Sequence, residues 1–183
     1  MPRPPRIQAP GLTYHVTSRG NRRGRIFERD MDRHRFLRLF DHVVARYEWT
    51  CHAYCLMSTH YHLVITTRHG NIARGMQRLN SMYAQYVNHQ QGFTGHVFQG
   101  RYHSVVVETE SHLLELFRYV ALNPVRAGRC ALPEDWPWSS YRYALGLERP
   151  PKFLSLDLLH GSLGLRPGRA AAQLRSFVLD RAA

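Results

Sequence analysis

The segment Met57-Ser-Thr-His-Tyr-His-Leu-Val-Ile-Thr66 decides how this chain is interpreted. Its second part, from Tyr61 to Thr66, is rich in aromatic and β-branched residues, which predicts a strand. Residues two apart in a strand point to the same face, so His60 and His62 are expected to project together. Two adjacent imidazoles can hold a divalent metal, although a pair of this kind is more often an ordinary surface pair.

A second informative segment runs from Ser111 to Arg126. Apolar residues recur in it at helical spacing and predict a buried stripe. The stripe consists of Leu113, Leu114, Phe117, Val120 and Ala121. Tyr119 and Asn123 lie one turn apart on a different face, which places both side chains to act outward. Because Pro124 disfavours helical geometry at the preceding residue, the helix is expected to end near Asn123.

The ordered combination of His60-Tyr-His62 with Tyr119-Val-Ala-Leu-Asn123-Pro resembles the single-tyrosine HUH transposases, and most closely the REP-associated tyrosine transposases. The resemblance covers residues 6–145. It implies that Tyr119 is the nucleophile and that His60, His62 and the amide oxygen of Asn123 hold a divalent metal. A mixed shell of nitrogen and oxygen ligands suits Mg²⁺ or Mn²⁺ in this role.

The activity implied by the resemblance is that of a metal-dependent endonuclease and strand transferase acting on single-stranded DNA or hairpins with single-stranded flanks. Its tyrosine becomes joined to a 5′-phosphate and a 3′-OH is released. Two alternatives remain. One is a regulator on the same fold that binds DNA or RNA hairpins without catalysis, and the other is a metal-dependent hydrolase that uses water. Ser58-Thr59 departs from the Pro-Asn common in relatives, and Phe98 stands where they usually carry Trp.

The composition favours a polyanionic partner. The chain has 183 residues and a formal net charge of +12, which suits nucleic acid or an anionic surface. Lys152 is the only lysine among 25 basic residues. The planar fork of arginine matches phosphate oxygens and guanine edges, so the excess of arginine favours nucleic acid. A GC-rich genome that replaces lysine by arginine accounts for part of the same bias.

The candidate DNA contacts cluster in two loops. The segment Ser18–Arg25 contains four arginines and two glycines that let the backbone turn closely, and self-repulsion makes such a cluster unhelpful for stability. A phosphate-binding role is therefore favoured over a merely solvated loop. The predicted contacts are Arg6, Arg19, Asn21, Arg22, Arg23, Arg25, Gln99 and Arg101. The resemblance adds that the N-terminal region helps to read a short single-stranded tag beside the DNA hairpin.

Other aromatic residues compete with Tyr119 for functional roles. Tyr83 lies at the centre of an apolar helical stripe, which favours a core position. Tyr102 is the main rival tyrosine, since it lies in a turn-rich segment next to Gln99 and Arg101. Tyr61, Tyr102 and Phe98 are also candidates for stacking on unpaired bases.

The order strand, helix, strand, strand, helix, strand, helix predicts an α+β fold. It fits a ferredoxin-like antiparallel sheet with helices packed on one face, which the resemblance also implies. Residues 1–146 are expected to form the transposase or nickase domain with a basic N-terminal arm. Residues 147–183 are expected to be a C-terminal extension that is helical and packs on the same domain, with its last helix at Ala170 to Leu179.

The remaining features concern the compartment. Cys51, Cys55 and Cys130 form an odd, sparse set, as expected for reduced thiols in the cytosol, and the first two are predicted to be core residues. No apolar run approaches the length that spans a bilayer. We expect a cytoplasmic protein associated with the nucleoid through DNA, with no membrane contact. A monomer is expected, with a homodimer as the alternative.

Overall fold

The computed structural model describes residues 7–165 and 169–180. The main elements are β1 (Thr13–Arg19), α1 (Asp30–Tyr47), β2 (Trp49–Leu56), β3 (His60–Thr67), α2 (Ile72–Gln91), β4 (His103–Val106) and α3 (Glu110–Arg126). Three shorter helices follow: α4 (Tyr141–Ala144), α5 (Asp157–Leu163) and α6 (Ala170–Leu179). Short 3₁₀ turns occupy Asn21–Arg23 and Pro133–Asp135. The predicted DNA contact Arg6 lies outside the described residues.

The four strands form one antiparallel sheet in the order β2-β3-β1-β4. The alternating pattern of β1 leaves Tyr14, Val16 and Ser18 buried, with half-buried residues between them. In β3, by contrast, residues 61–65 are all buried, because both faces of this strand are covered. The order of elements and strands confirms the predicted α+β, ferredoxin-like sheet.

Two apolar cores lie on opposite faces of the sheet. Helices α1 and α2 cover one face, where Phe36 and Leu79 pack with Leu63 of β3. Helices α3, α5 and α6 cover the other face, which includes Cys55 and Val64. The expectation of helices on one face only is therefore corrected. The strands carry apolar residues at both alternations, so the second face also has to be buried against helices.

Helix α3 begins with a side-chain cap, in which Thr109 Oγ1 accepts a hydrogen bond of 3.1 Å from the backbone N–H of His112. The predicted end near Asn123 is wrong, since Pro124 lies inside the helix and is buried. A proline removes one backbone donor, but the next turn still forms, and the N–H of Ala127 donates to the carbonyl oxygen of Asn123 at 3.0 Å. The helix therefore extends to Arg126.

The C-terminal helices α5 and α6 pack on α3. Arg118 of α3 makes the most direct link, because its Nε donates to the carbonyl oxygen of Phe177 at 3.0 Å and its Cζ lies 4.4 Å from the Phe177 ring centroid. These contacts anchor the helix that carries Tyr119. Among the described residues, no helix has the length and apolarity needed to cross a bilayer.

Candidate active site

The two histidines are presented by a tight hairpin between β2 and β3. The N–H of Met57 donates to the carbonyl oxygen of His60 at 2.9 Å and closes the turn. The rings of His60 and His62 lie 5.0 Å apart between centroids, on one face of β3 as predicted. Thr59 Oγ1 lies 3.1 Å from His60 Nδ1, so the turn residue that departs from the common Pro-Asn pattern supplies a hydrogen-bond partner to this imidazole.

Helix α3 brings Tyr119 and Asn123 to the same place. The Tyr119 ring meets the His62 ring edge-on, with centroids 5.3 Å apart, and its side chain is 38% exposed. The Asn123 side chain lies near enough to His60 to raise the pKa of this imidazole. The site residues predicted from two distant segments of the sequence therefore lie in one cluster at the sheet surface. This cluster consists of His60, His62, Tyr119 and Asn123.

His62 is the most buried member of this cluster. Its Nδ1 lies 2.9 Å from Nε2 of His15, whereas its own Nε2 is buried without a hydrogen-bond partner among the described residues. Burial lowers the pKa of His62 to about 2, helped by the nearby His15, His60 and Arg19. Burial likewise lowers the pKa of His15 to about 4. Both rings are therefore neutral at pH 7.

Arg19 connects this cluster to the arginine-rich loop. It is the cross-strand neighbour of His60 in the pairing of β1 with β3. Burial lowers the pKa of His60, the Arg19 charge lowers it further, and the nearby Asn123 side chain acts in the opposite direction. An anionic ligand attracted by Arg19 would thus lie next to the histidines.

The two loops with predicted DNA contacts meet in the structure, although about 80 residues separate them in sequence. The N–H of Asn21 donates to the carbonyl oxygen of Val97 at 2.8 Å, and the N–H of Gln99 donates to that of Arg19 at 2.9 Å. All predicted contacts within the described residues are exposed: Arg19, Asn21, Arg22, Arg23, Arg25, Gln99 and Arg101. They form a single basic corner, which we define as residues 19–25 and 97–101.

The arginine-rich loop has an unusual backbone. Arg22 and Arg23 have φ values of 51° and 61°, in the left-handed region that non-glycine residues rarely adopt. A Cβ added to Gly20 would overlap the carbonyl oxygen of Gly24, so the two glycines allow the close turn. Backbone strain of this kind concentrates at functional sites.

A groove of about 750 Å³ borders the basic corner. It lies between α2 and residues 95–102 and combines an apolar floor with polar side chains at its edge, including Asn21, Gln77 and Gln99.

The rival aromatic residues are buried. Tyr83 donates from its hydroxyl to the carbonyl oxygen of Ile26 at 2.6 Å, which confirms its core position. Tyr61, Tyr102 and Phe98 are also buried, although Phe98 and Tyr102 line the groove with part of their surface. Each fills the core beneath the groove or sheet. Tyr119 is the exposed tyrosine of this set.

Sequence reasoning missed two residues of the cluster. His15 and Arg19 lie four residues apart on β1, so their side chains point to the same face of the strand. The pairing of β1 with β3 places His62 on that face as well. Arg126 lies two helical turns after Tyr119, and its Cζ is 5.7 Å from the Tyr119 ring centroid. That spacing is visible in the sequence, but the helix was expected to stop before Arg126.

The fold and sequence match known proteins. A structure entitled as a REP-associated tyrosine transposase bound to a REP hairpin has a TM-score of 0.69 and 18% identity, and the alignment covers 86% of this chain and 93% of that one. A protein from Deinococcus radiodurans R1 described as a transposase has a TM-score of 0.46 and 14% identity, with 64% and 95% covered. No curated protein matches significantly. The family model for IS200-like transposases matches residues 8–123, well over half of the chain and the full stretch from His15 to Asn123. This chain belongs to the IS200-like transposase family.

Proposed function

We propose that this protein is a metal-dependent endonuclease and strand transferase that acts on single-stranded or hairpin DNA through a 5′-phosphotyrosine intermediate. The observation that carries this proposal is the placement of the exposed Tyr119 beside His62 and its neighbour His60, with the Asn123 side chain close to His60. Membership in a transposase family supports DNA as the substrate.

The residues of the cluster fit a divalent metal. Nε2 of His62 is buried without a partner among the described residues, and such an atom costs free energy unless something binds it. His60, His62 and the amide oxygen of Asn123 would hold the ion, and this mixed donor set suits Mg²⁺ or Mn²⁺. When bound, such an ion neutralises the charge of a phosphate and acts as a Lewis acid and template.

The strand-cleaving step belongs to Tyr119. Its phenolic oxygen attacks the scissile phosphorus and loses its proton, a bond forms between that oxygen and phosphorus, and the bond to the 3′-oxygen breaks. The departing 3′-oxygen takes up a proton and becomes a free 3′-OH. The new phosphodiester keeps the energy of the old one, so attack by a 3′-OH reverses the step and joins strands without ATP. The Arg126 guanidinium, whose Cζ lies 5.7 Å from the Tyr119 ring centroid, would stabilise the negative charge that develops on the phenolic oxygen during attack.

The basic corner and its groove would hold the substrate. Arginines on an exposed loop bind phosphates irrespective of sequence, and Arg19 brings this charge next to His60. The groove beside α2 offers space for unpaired nucleotides. A hairpin with single-stranded flanks fits both features, and the structurally similar transposase is described as bound to a REP hairpin.

The organisation of the chain supports a monomer that uses its own tyrosine. Helix α3 packs on β2 and places Tyr119 beside His62, and the four side chains of the cluster lie within residues 1–146, which act as the catalytic domain. Residues 147–183 act as an extension, of which α5 and α6 support the Tyr119 helix. A homodimer is the alternative. The site of action is DNA in the cytoplasm, at the nucleoid.

The proposal is tested with end-labelled single-stranded hairpin DNA taken from the sequence flanking the gene. The DNA is incubated with Mn²⁺ and with the wild type, Tyr119→Phe or the rival variant Tyr102→Phe, and the products are separated on a denaturing gel. We expect a protein-linked band with the wild type and with Tyr102→Phe, and none with Tyr119→Phe.

Other outcomes identify the alternatives. Cleavage without a protein-linked band that persists in Tyr119→Phe would indicate a hydrolase that uses water. Tight binding of every flanking hairpin with no cleavage by the wild type would indicate a regulator. A band that disappears in Tyr102→Phe and persists in Tyr119→Phe would assign the nucleophile to the other tyrosine.

A further inference from the structure

We infer that His15 is a positioning residue that holds His62 in the tautomer whose Nε2 is free to bind a metal. The inference rests on the proposed function and on one contact, the distance of 2.9 Å between His15 Nε2 and His62 Nδ1. The two rings are also nearly coplanar, with centroids 5.2 Å apart and planes 16° from parallel. His15 thereby fixes both the proton and the ring plane of His62.

The number of N–H groups and lone pairs on each imidazole determines the direction of this hydrogen bond. Each neutral imidazole carries one N–H and one lone pair, so one of the two facing nitrogens must donate to the other. If His62 Nδ1 donates, its Nε2 carries the lone pair and faces the metal site. If His15 donates instead, the His62 proton moves to Nε2, which is buried with no acceptor among the described residues. That arrangement leaves a buried donor unpaired and blocks the site.

The position of His15 suits this role. It lies on β1, which is hydrogen-bonded to β3 on one side and β4 on the other, so its backbone is held in the interior of the sheet. Metal-binding histidines are commonly oriented by a partner on their second nitrogen, usually a carboxylate or a carbonyl. A neutral histidine in this place orients the ring without adding negative charge to the metal site.

A different role for His15 has to be separated from this one. Its ring lies edge-on to Tyr119, with centroids 6.1 Å apart, so it could instead take the phenolic proton. Glutamine distinguishes the two roles, because its side-chain oxygen can accept a hydrogen bond from His62 but cannot act as a base at neutral pH. Phenylalanine keeps the ring volume and removes both capacities.

The experiment uses the whole protein in two measurements that need no DNA. Long-range ¹H–¹⁵N correlation spectra of the metal-free protein report the tautomer of His62, and calorimetric titration with Mn²⁺ reports metal affinity. We expect the Nδ1–H tautomer in the wild type, a change toward Nε2–H in His15→Phe, and retention of the wild-type form in His15→Gln. We expect Mn²⁺ affinity to fall roughly 10- to 100-fold in His15→Phe and to stay near the wild-type value in His15→Gln.

The matched control is His89→Gln, which changes an exposed histidine on α2, the helix that covers the opposite face of the sheet, and should alter neither readout. An Nε2–H tautomer in the wild type, or an unchanged Mn²⁺ affinity in His15→Phe, would overturn the inference. If His15→Phe does not fold, the wild-type tautomer and His15→Gln still decide it. A His15→Gln protein that binds Mn²⁺ normally but forms no adduct would assign His15 to Tyr119 as a base.

Failure of the proposed function would look different. In that case the wild type would form no DNA adduct, while the tautomer of His62 and its Mn²⁺ affinity would still respond to His15. The proposed function and the positioning role of His15 are therefore tested by separate measurements.

Discussion

Arg126 lies over the ring of Tyr119, with its Cζ 5.7 Å from the ring centroid. Both residues belong to α3 and are two helical turns apart, and the helix reaches Arg126 because it continues through the buried Pro124. A cation in this place stabilises negative charge on the phenolic oxygen as it attacks. Pro124, which was predicted to end the helix, thus lies within the turn that places the Arg126 charge beside Tyr119.

Replacing Arg126 by Gln should slow adduct formation about tenfold, which corresponds to about 1.4 kcal/mol in the barrier. The decrease should persist at saturating DNA in single-turnover measurements, because the lost interaction acts on Tyr119 and not mainly on binding. Arg129→Gln, just beyond the helix, is the matched control and should retain the wild-type rate. A rate for Arg126→Gln that recovers fully at high DNA concentration would show that Arg126 only binds DNA.

The arginines of the 19–25 loop should set the salt dependence of DNA binding. Removing one phosphate contact reduces the slope of log affinity against log salt by about one and weakens binding similarly for all sequences. We therefore expect this result for Arg22→Gln, measured by fluorescence anisotropy with a labelled single strand between 50 and 200 mM salt, a range chosen to span strong and weak screening. Arg149→Gln, an exposed arginine in the C-terminal part, should leave the slope unchanged. Equal slopes for the two variants would contradict a specific role of the loop.

Local periodicity was enough to predict much of this molecule. The alternation around His60 and His62 and the helical spacing of Tyr119 and Asn123 depend only on neighbouring residues, so they could be read directly from the sequence. The order of the elements was likewise enough for the fold class.

The features that sequence reasoning missed depend on long-range packing. The contact of His15 with His62 requires the register of β1 against β3, which no local pattern specifies. The second covered face of the sheet depends on where α3 returns, and Tyr102 is buried because it belongs to the core formed by the sheet with α1 and α2. The end of α3 was predicted wrongly for a different reason. The preference of the residue before Pro124 for non-helical geometry was outweighed by the burial of the helix against the rest of the protein.

Buried neutral histidines should make the protein sensitive to acid. Burial lowers the pKa of His15 and of His52 from 6.5 to about 4 in the folded protein. Between these values the unfolded chain binds more protons than the folded one, so the free energy of unfolding falls as pH falls from 6.5 toward 4. We expect a loss on the order of 3 kcal/mol between pH 7 and pH 5, or a decrease in Tm of roughly 10 °C, in the presence of a chelator.

A variant pair identifies the source of this acid sensitivity. His52 Nε2 lies 2.8 Å from Thr66 Oγ1, a partner that the amide of His52→Gln can also engage. This variant should show a smaller decrease in Tm between pH 7 and pH 5 than the wild type. The exposed His89 serves as the control, since His89→Gln should keep the wild-type pH dependence. A wild-type Tm that stays constant over this range would contradict the neutral, buried state of these rings.

The close approach of Gly20 to Gly24 should be required for the shape of the basic corner. A methyl group on Gly20 would overlap the carbonyl oxygen of Gly24, and the loop would have to open and release the strained arginines. We expect Gly20→Ala to weaken single-stranded DNA binding about tenfold, the equivalent of about 1.4 kcal/mol, while Mn²⁺ affinity stays close to that of the wild type. Gly161→Ala, in α5, is the matched control, because nothing lies within 4 Å of its added Cβ. Similar DNA affinities for the two variants would mean that the arginines bind DNA without a fixed loop geometry.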